Sequence, residues 1–177
     1  MYKKQYGKMT VRAWLNSEMD CANPILTVGV GALLLIGGMI VRIRSESPYR
    51  TILEMGIGDI VPPVWLMTLL WSLSLFLIGC AAGFVLGYRR GGCEIEKYKG
   101  CMIFVILAIL ELSWYRIFFV SNLIFISVLV ALLILSLGIW VTSLFYRVTK
   151  FAGMLLLLHD IWLICMTVLN AVVLFRA

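Results

Sequence analysis

Charge is what this chain lacks most. Only 14% of its 177 residues are charged, while 63% are hydrophobic. A soluble domain of this size cannot hide so much apolar side chain in its core, which excludes a water-soluble globular fold. Histidine is almost missing, with His159 the single one. The five cysteines, Cys21, Cys80, Cys93, Cys101 and Cys165, form no CxxC pair and no metal-spaced set. Cys80 and Cys165 fall inside apolar runs and read as small buried apolar residues. No nucleophile–base pair, metal cluster or phosphate loop is visible. The net charge of +6 does not point to nucleic acid. Its basic residues lie in tails and connectors beside apolar runs, where membrane topology places them.

What is present is a series of long apolar runs. They are continuous and do not alternate, which excludes a β-barrel and predicts an all-α integral membrane protein. The first 23 residues form a polar, basic tail, too polar to span, with Trp14 and Leu15 available for the lipid side of a short interfacial helix. Spans are predicted over about 24–41, 63–88, 101–119, 123–145 and 151–175. The stretch from Cys101 to Tyr146 would be about 70 Å long as one helix, against a hydrocarbon core of about 30 Å. It must break, and the natural place is near Ser121 and Asn122. Residues 24–177 therefore read as one five-helix transmembrane domain. Ten of the fifteen Lys and Arg residues fall on the side of the N-terminus, so the positive-inside rule predicts that end inside and the C-terminus outside.

An ionisable residue in mid-span is a functional candidate, because lipid offers it no partner. Glu111, His159 and Asp160 qualify. They could instead form a polar cluster that ties helices together, and the two roles are compatible. At 100° per residue, His159, Trp162, Met166 and Asn170 share one face of the fifth span, with Asp160 at its border. Such a stripe should face the bundle interior, where aromatic surfaces plus a few aimed polar groups suit a small-molecule pocket. His159 could ligate a haem iron, although a hydrogen-bonding role is commoner. In the second span, Gly79, Gly83 and Gly87 recur every four residues. This small-residue ladder suits close helix packing, within the bundle or in a homodimer.

The stretch DIVPPVWLMTLLW opens the second span with Pro62 and Pro63. Proline is tolerated in a first helical turn, where the N–H groups lack partners anyway. The pair is expected to fix how the preceding connector enters. Trp65 sits near the interface and Trp71 two turns deeper. The segment PPVWLMTLLWSLSLFLIGCAAG resembles the start of helix two in the TspO/MBR family. ELSWYRIFF resembles that family's helix-three motif, Asn-x-x-Trp-x-x-x-Phe-Phe. LLLLHDIWLICMTVLNAVV resembles its helix-five motif, Leu-Leu-x-Pro-Tyr-x-x-Trp followed by Leu-Asn. The resemblance covers roughly residues 24–175. Pro62, Pro63, Trp65, Trp71, Trp114, Phe118, Phe119, Trp162 and Asn170 keep the pattern. Gly58, Ile60, Leu75, Glu111, Arg116 and the Leu158-His159 pair depart from it, which marks a divergent member.

The resemblance implies a five-helix bundle, often dimeric, with a pocket beneath the first connector. It implies tetrapyrroles, sterols or synthetic compounds as ligands. It also implies Pro62, Pro63, Trp71, Trp114, Phe118, Glu111, His159, Trp162 and Asn170 as pocket residues. Trp71 and Trp162 occupy positions used by some bacterial members to degrade porphyrins in light. The expected function is thus a sensor or carrier for a hydrophobic planar ligand such as a porphyrin, in a bacterial cytoplasmic membrane. No cofactor is required, while a porphyrin or haem could be bound. The alternatives are light-dependent porphyrin breakdown, proton-coupled transport through Glu111, His159 and Asp160, and a structural partner subunit.

Overall fold

The computed structural model describes residues 10–44, 62–89, 92–121 and 123–176. Six α-helices and no strand occur among them: α1 (Val11–Met19), α2 (Pro24–Ile43), α3 (Val64–Gly87), α4 (Glu94–Phe119), α5 (Ile124–Val148) and α6 (Lys150–Arg176). The last five are long and apolar enough to cross a membrane. The chain is an all-α, five-span membrane bundle. Most of the first connector, with Gly58 and Ile60, lies outside the described residues, as does Asn122.

Local chemistry sets the ends of the helices. Asn23 caps α2 by accepting from the backbone N–H groups of Ile25 and Leu26 at 3.0 and 3.4 Å, and Pro24 takes the first helical position. Pro63 caps α3 through its carbonyl, which accepts from Leu66 and Met67 at 2.9 and 3.1 Å. The proline pair therefore starts the helix and does not break it. The third span begins at Glu94, seven residues before the expected Cys101. Its first turns carry Glu94 and Glu96, and carboxylates favour a helix N-terminus. Hydropathy alone missed them because they are polar. The break between α4 and α5 falls at residues 120–123, as the length argument required.

The five spans form a ring in which α2 packs on α3, α3 on α6, α6 on α5 and α5 on α4. Contacts from α4 back to α2 and α3 are sparse. The α2–α3 contact is tight because both helices present glycine. A Cβ on Gly79 would lie 2.7 Å from the Gly31 Cα, and one on Gly83 2.8 Å from the Thr27 Cα. Gly87 faces Asn23 in the same way. The ladder is thus filled by α2 of the same chain. A homodimer through Gly79, Gly83 and Gly87 is not available while α2 is seated, which corrects that expectation. Cys80 is buried as expected, but Cys165 is exposed on the outer face of α6 and meets lipid.

Helix α1 forms at the foot of the bundle, with Trp14 half-buried; the Leu15 side chain is outside the described residues. Its anchor is polar. Glu18 Oε2 accepts from the Thr149 hydroxyl at 2.7 Å and the Tyr88 hydroxyl at 3.1 Å. Lys97 Nζ donates to the Tyr88 carbonyl, and the Arg89 N–H to the Cys21 carbonyl. One carboxylate therefore joins α1, the end of α3 and the α5–α6 turn.

Two consequences for stability follow. Gly83→Leu must push α2 away and should cost about 3 kcal/mol, whereas Leu86→Ile on the exposed face should be neutral. Thermal unfolding in detergent reads both. Glu18→Ala removes a buried acceptor shared by two hydroxyls and should cost about 2 kcal/mol; unchanged unfolding would refute the anchor.

Candidate functional site

Close packing on one side of α3 contrasts with an aromatic seam on the other. Trp71 of α3 stacks on Tyr115 of α4, with ring centroids 4.7 Å apart. Trp114 stacks on Phe118 at 5.5 Å, and Phe118 meets Phe119 edge-on at 4.8 Å. Indole and phenol rings hold helices farther apart than glycines do. Between them runs a narrow crevice made of two adjoining cavities of about 20 Å³ each. Both are walled by Trp71 (α3), Trp114 (α4), Trp162 and Met166 (α6). The outer cavity adds Val64, Met67, Thr68, Tyr115 and Phe119. The inner one adds Glu111, Ala131, Ile134, Leu163 and Thr167. Val64 is the first residue of α3, so the outer cavity reaches the end of the bundle where Pro62 and Pro63 stand, both exposed.

The predicted candidates divide by position. Trp71, Trp114, Glu111 and Trp162 line the crevice. His159 does not. It is fully buried on α6, and its Nδ1 is hydrogen-bonded to the Ser74 hydroxyl of α3 at 2.5 Å. Glu111 Oε1 lies 3.9 Å from that same nitrogen, too far for a hydrogen bond. Phe118 is buried behind Trp114 and is not part of the wall. Asn170 is also behind it. Its Nδ2 donates to the Met166 carbonyl at 2.7 Å and its Oδ1 accepts from Ser127 of α5 at 3.1 Å. Asn170 is thus a tie between α5 and α6, which corrects its expected place in the pocket.

Asp160 departs further from expectation. Its Oδ2 accepts from Thr142 of α5 at 2.7 Å, and Gly138 of the same helix leaves room for its Oδ1. It therefore faces α5, while the Glu111–His159 pair sits between α3, α4 and α6. The three ionisable residues do not form one relay. The interior stripe of α6 is otherwise as the spacing predicted, with His159, Met166 and Asn170 buried and Trp162 half-buried. Leu158 is exposed on the lipid face.

Ser74, Met67, Thr68 and Tyr115 were not singled out by sequence. Tyr115 directly follows Trp114, and a helical count places it one step round toward α3. Ser74 carries no signal on its own, since its partner is 85 residues away. Trp65 points outward, 67% exposed, as expected for an interfacial anchor.

Several polar atoms around the crevice are buried without a hydrogen-bond partner among the described residues: the indole N–H of Trp71, that of Trp114, and both carboxyl oxygens of Glu111. Inside a bilayer such groups are costly. Their convergence on one crevice with few polar groups makes it the candidate site.

No curated protein and no solved structure matches this chain. The model of the TspO/MBR family matches residues 25–176, which takes in all five spans and the whole crevice, and the chain belongs to the TspO/MBR family.

Proposed function

We propose that this protein binds a hydrophobic, planar ligand of the tetrapyrrole kind in the crevice between α3, α4 and α6, as a membrane-embedded sensor or carrier. The observation that carries this reading is the wall of three tryptophans, Trp71, Trp114 and Trp162, around one cavity. Flat rings gain dispersion and quadrupole contacts on indole faces that an aliphatic wall would not give. Each cavity has room for about one water molecule while the crevice is closed, so a planar ligand requires the sparse α4 seam to widen. Family membership supports ligand binding and transport in general terms.

Stacking, not axial ligation, is the expected mode. His159 is not part of the wall of either cavity and its Nδ1 is engaged by Ser74, so the residues that line the crevice do not fit a haem iron. The crevice opens at the end of the bundle opposite α1, where Pro62 and Pro63 stand, and the charge bias of the connectors favours an outside position for that mouth. A bacterial cytoplasmic membrane suits this composition. A second reading, porphyrin breakdown in light, is favoured by one observation: Trp71 and Trp162 face the same cavity. Proton-coupled transport loses the three-residue relay that motivated it, because Asp160 turns to α5.

Titration of the purified protein with protoporphyrin IX should quench tryptophan fluorescence saturably. The Trp71→Phe/Trp162→Phe variant should bind about tenfold more weakly, the scale of one lost aromatic contact, with Trp114 still reporting. Linear quenching, or equal affinity in the variant, would sink the binding reading. Illumination of the bound porphyrin decides the second: an unchanged absorption spectrum removes it.

A further inference from the structure

The wall of the inner cavity carries a carboxyl group with no cation beside it. Glu111 lines the cavity, is 2% exposed, and has neither oxygen hydrogen-bonded among the described residues. Among the described residues, the basic side chain paired nearest to it is His159, whose Nδ1 is engaged by Ser74 and stands 3.9 Å off. The other lining groups are apolar or aromatic, apart from the Thr167 hydroxyl, which donates to the Leu163 carbonyl at 2.8 Å. Three indoles surround the same space. Aromatic faces attract a cation through the ring quadrupole. A buried carboxyl group pairs with an ammonium by charge-assisted hydrogen bonds, and the pair carries no net charge into hydrocarbon.

We infer that the inner cavity is a recognition site for organic cations, and that the ligand this chain selects is a flat hydrophobic amine that enters as the sparse α3–α4 seam widens and sits with its nitrogen on Glu111 between Trp71, Trp114 and Trp162. This rests on the reading of the crevice as a binding site for planar molecules, and it narrows the class. Glu111 is one of the residues that depart from the TspO/MBR pattern, so the preference belongs to this chain and is not carried over from the family. Anionic groups of a ligand are kept at the outer cavity, away from Glu111.

The test compares 1-pyrenemethylamine with 1-methylpyrene, the same ring with and without the ammonium, by energy transfer from tryptophan to pyrene in one detergent. Partitioning into micelles is common to every protein tested, so the ratio of the two affinities is compared between proteins. That ratio should favour the amine about tenfold more in the native chain than in Glu111→Gln, the scale of one charge-assisted hydrogen bond. Gel filtration and thermal unfolding check that the variant folds. If Glu111→Gln does not fold, Glu111→Met serves in its place. It removes an unpartnered buried carboxyl group and should raise the unfolding temperature of the ligand-free protein. Equal ratios in native and variant proteins overturn the inference. If protoporphyrin IX still quenches saturably in the native protein, the planar-ligand reading survives that failure. If the amine preference depends on Glu111 while protoporphyrin IX does not bind, the tetrapyrrole reading fails and the cation site stands. If neither pyrene nor porphyrin binds, both fall.

Discussion

A polar group inside hydrocarbon has no water to turn to. That constraint sorts the polar residues of this bundle into two sets. One set is tied across helices: Asn170 with Ser127, Asp160 through Oδ2 with Thr142, His159 through Nδ1 with Ser74, while Asp160 Oδ1 and His159 Nε2 find no partner among the described residues. Each pair fixes the rotation of one span against another, because a turn of either helix would strand both partners. The other set converges on a single cavity between α3, α4 and α6. Trp71, Trp114 and Glu111 keep unpartnered atoms there. The first set builds the frame, and the second is what the frame holds open.

The position of the crevice follows from side-chain size. Glycines on α3 let the α2 backbone come within contact distance, so that side of the bundle is closed. On the opposite side α3 meets α4 through Trp71 and Tyr115, and the helices make few backbone approaches. A ring of five helices closed tightly at one seam and loosely at another must leave its space at the loose one. Stacked rings can slide with little loss of contact, whereas glycine-packed backbones cannot. Under the proposed reading, a planar guest would enter between α3 and α4 at less cost than anywhere else in the ring.

The parts of this arrangement that sequence made legible are those set by local patterns. Five apolar runs, the break near Ser121 and the interior stripe of α6 all depend on spacing within one segment, and spacing is visible in a single chain. Trp71 and Trp162 could be placed in one pocket only through the family motifs. What escaped depends on partners far apart in the chain. The glycine ladder reads the same whether it meets α2 or a second subunit, and only the seating of Gly79 against Gly31 decides. Asn170 reads as a pocket amide until Ser127, 43 residues earlier, takes its oxygen. Glu18 gave no signal at all, since its two donors lie 70 and 131 residues away. Asp160 stands next to His159 in sequence, yet one helical step of 100° turns it from the pocket side to α5.

That last step has a wider bearing on how the site works. Adjacent charged residues in a span invite a single mechanism, but a helix separates neighbours by more than a quarter turn. Asp160 is consumed by Thr142 in holding α5 to α6, and His159 by Ser74 in holding α6 to α3. Glu111 alone is left with its oxygens turned to the cavity. The frame thus positions α6 by two ties in different directions, which fixes Trp162 between them. Trp71 is set from the same direction, since Ser74 lies one turn further along α3. The aromatic wall and the carboxyl group are held by contacts that the ligand does not touch. Under the proposed reading, a guest would occupy the crevice without the helices losing their register, and its polar end would be met by Glu111.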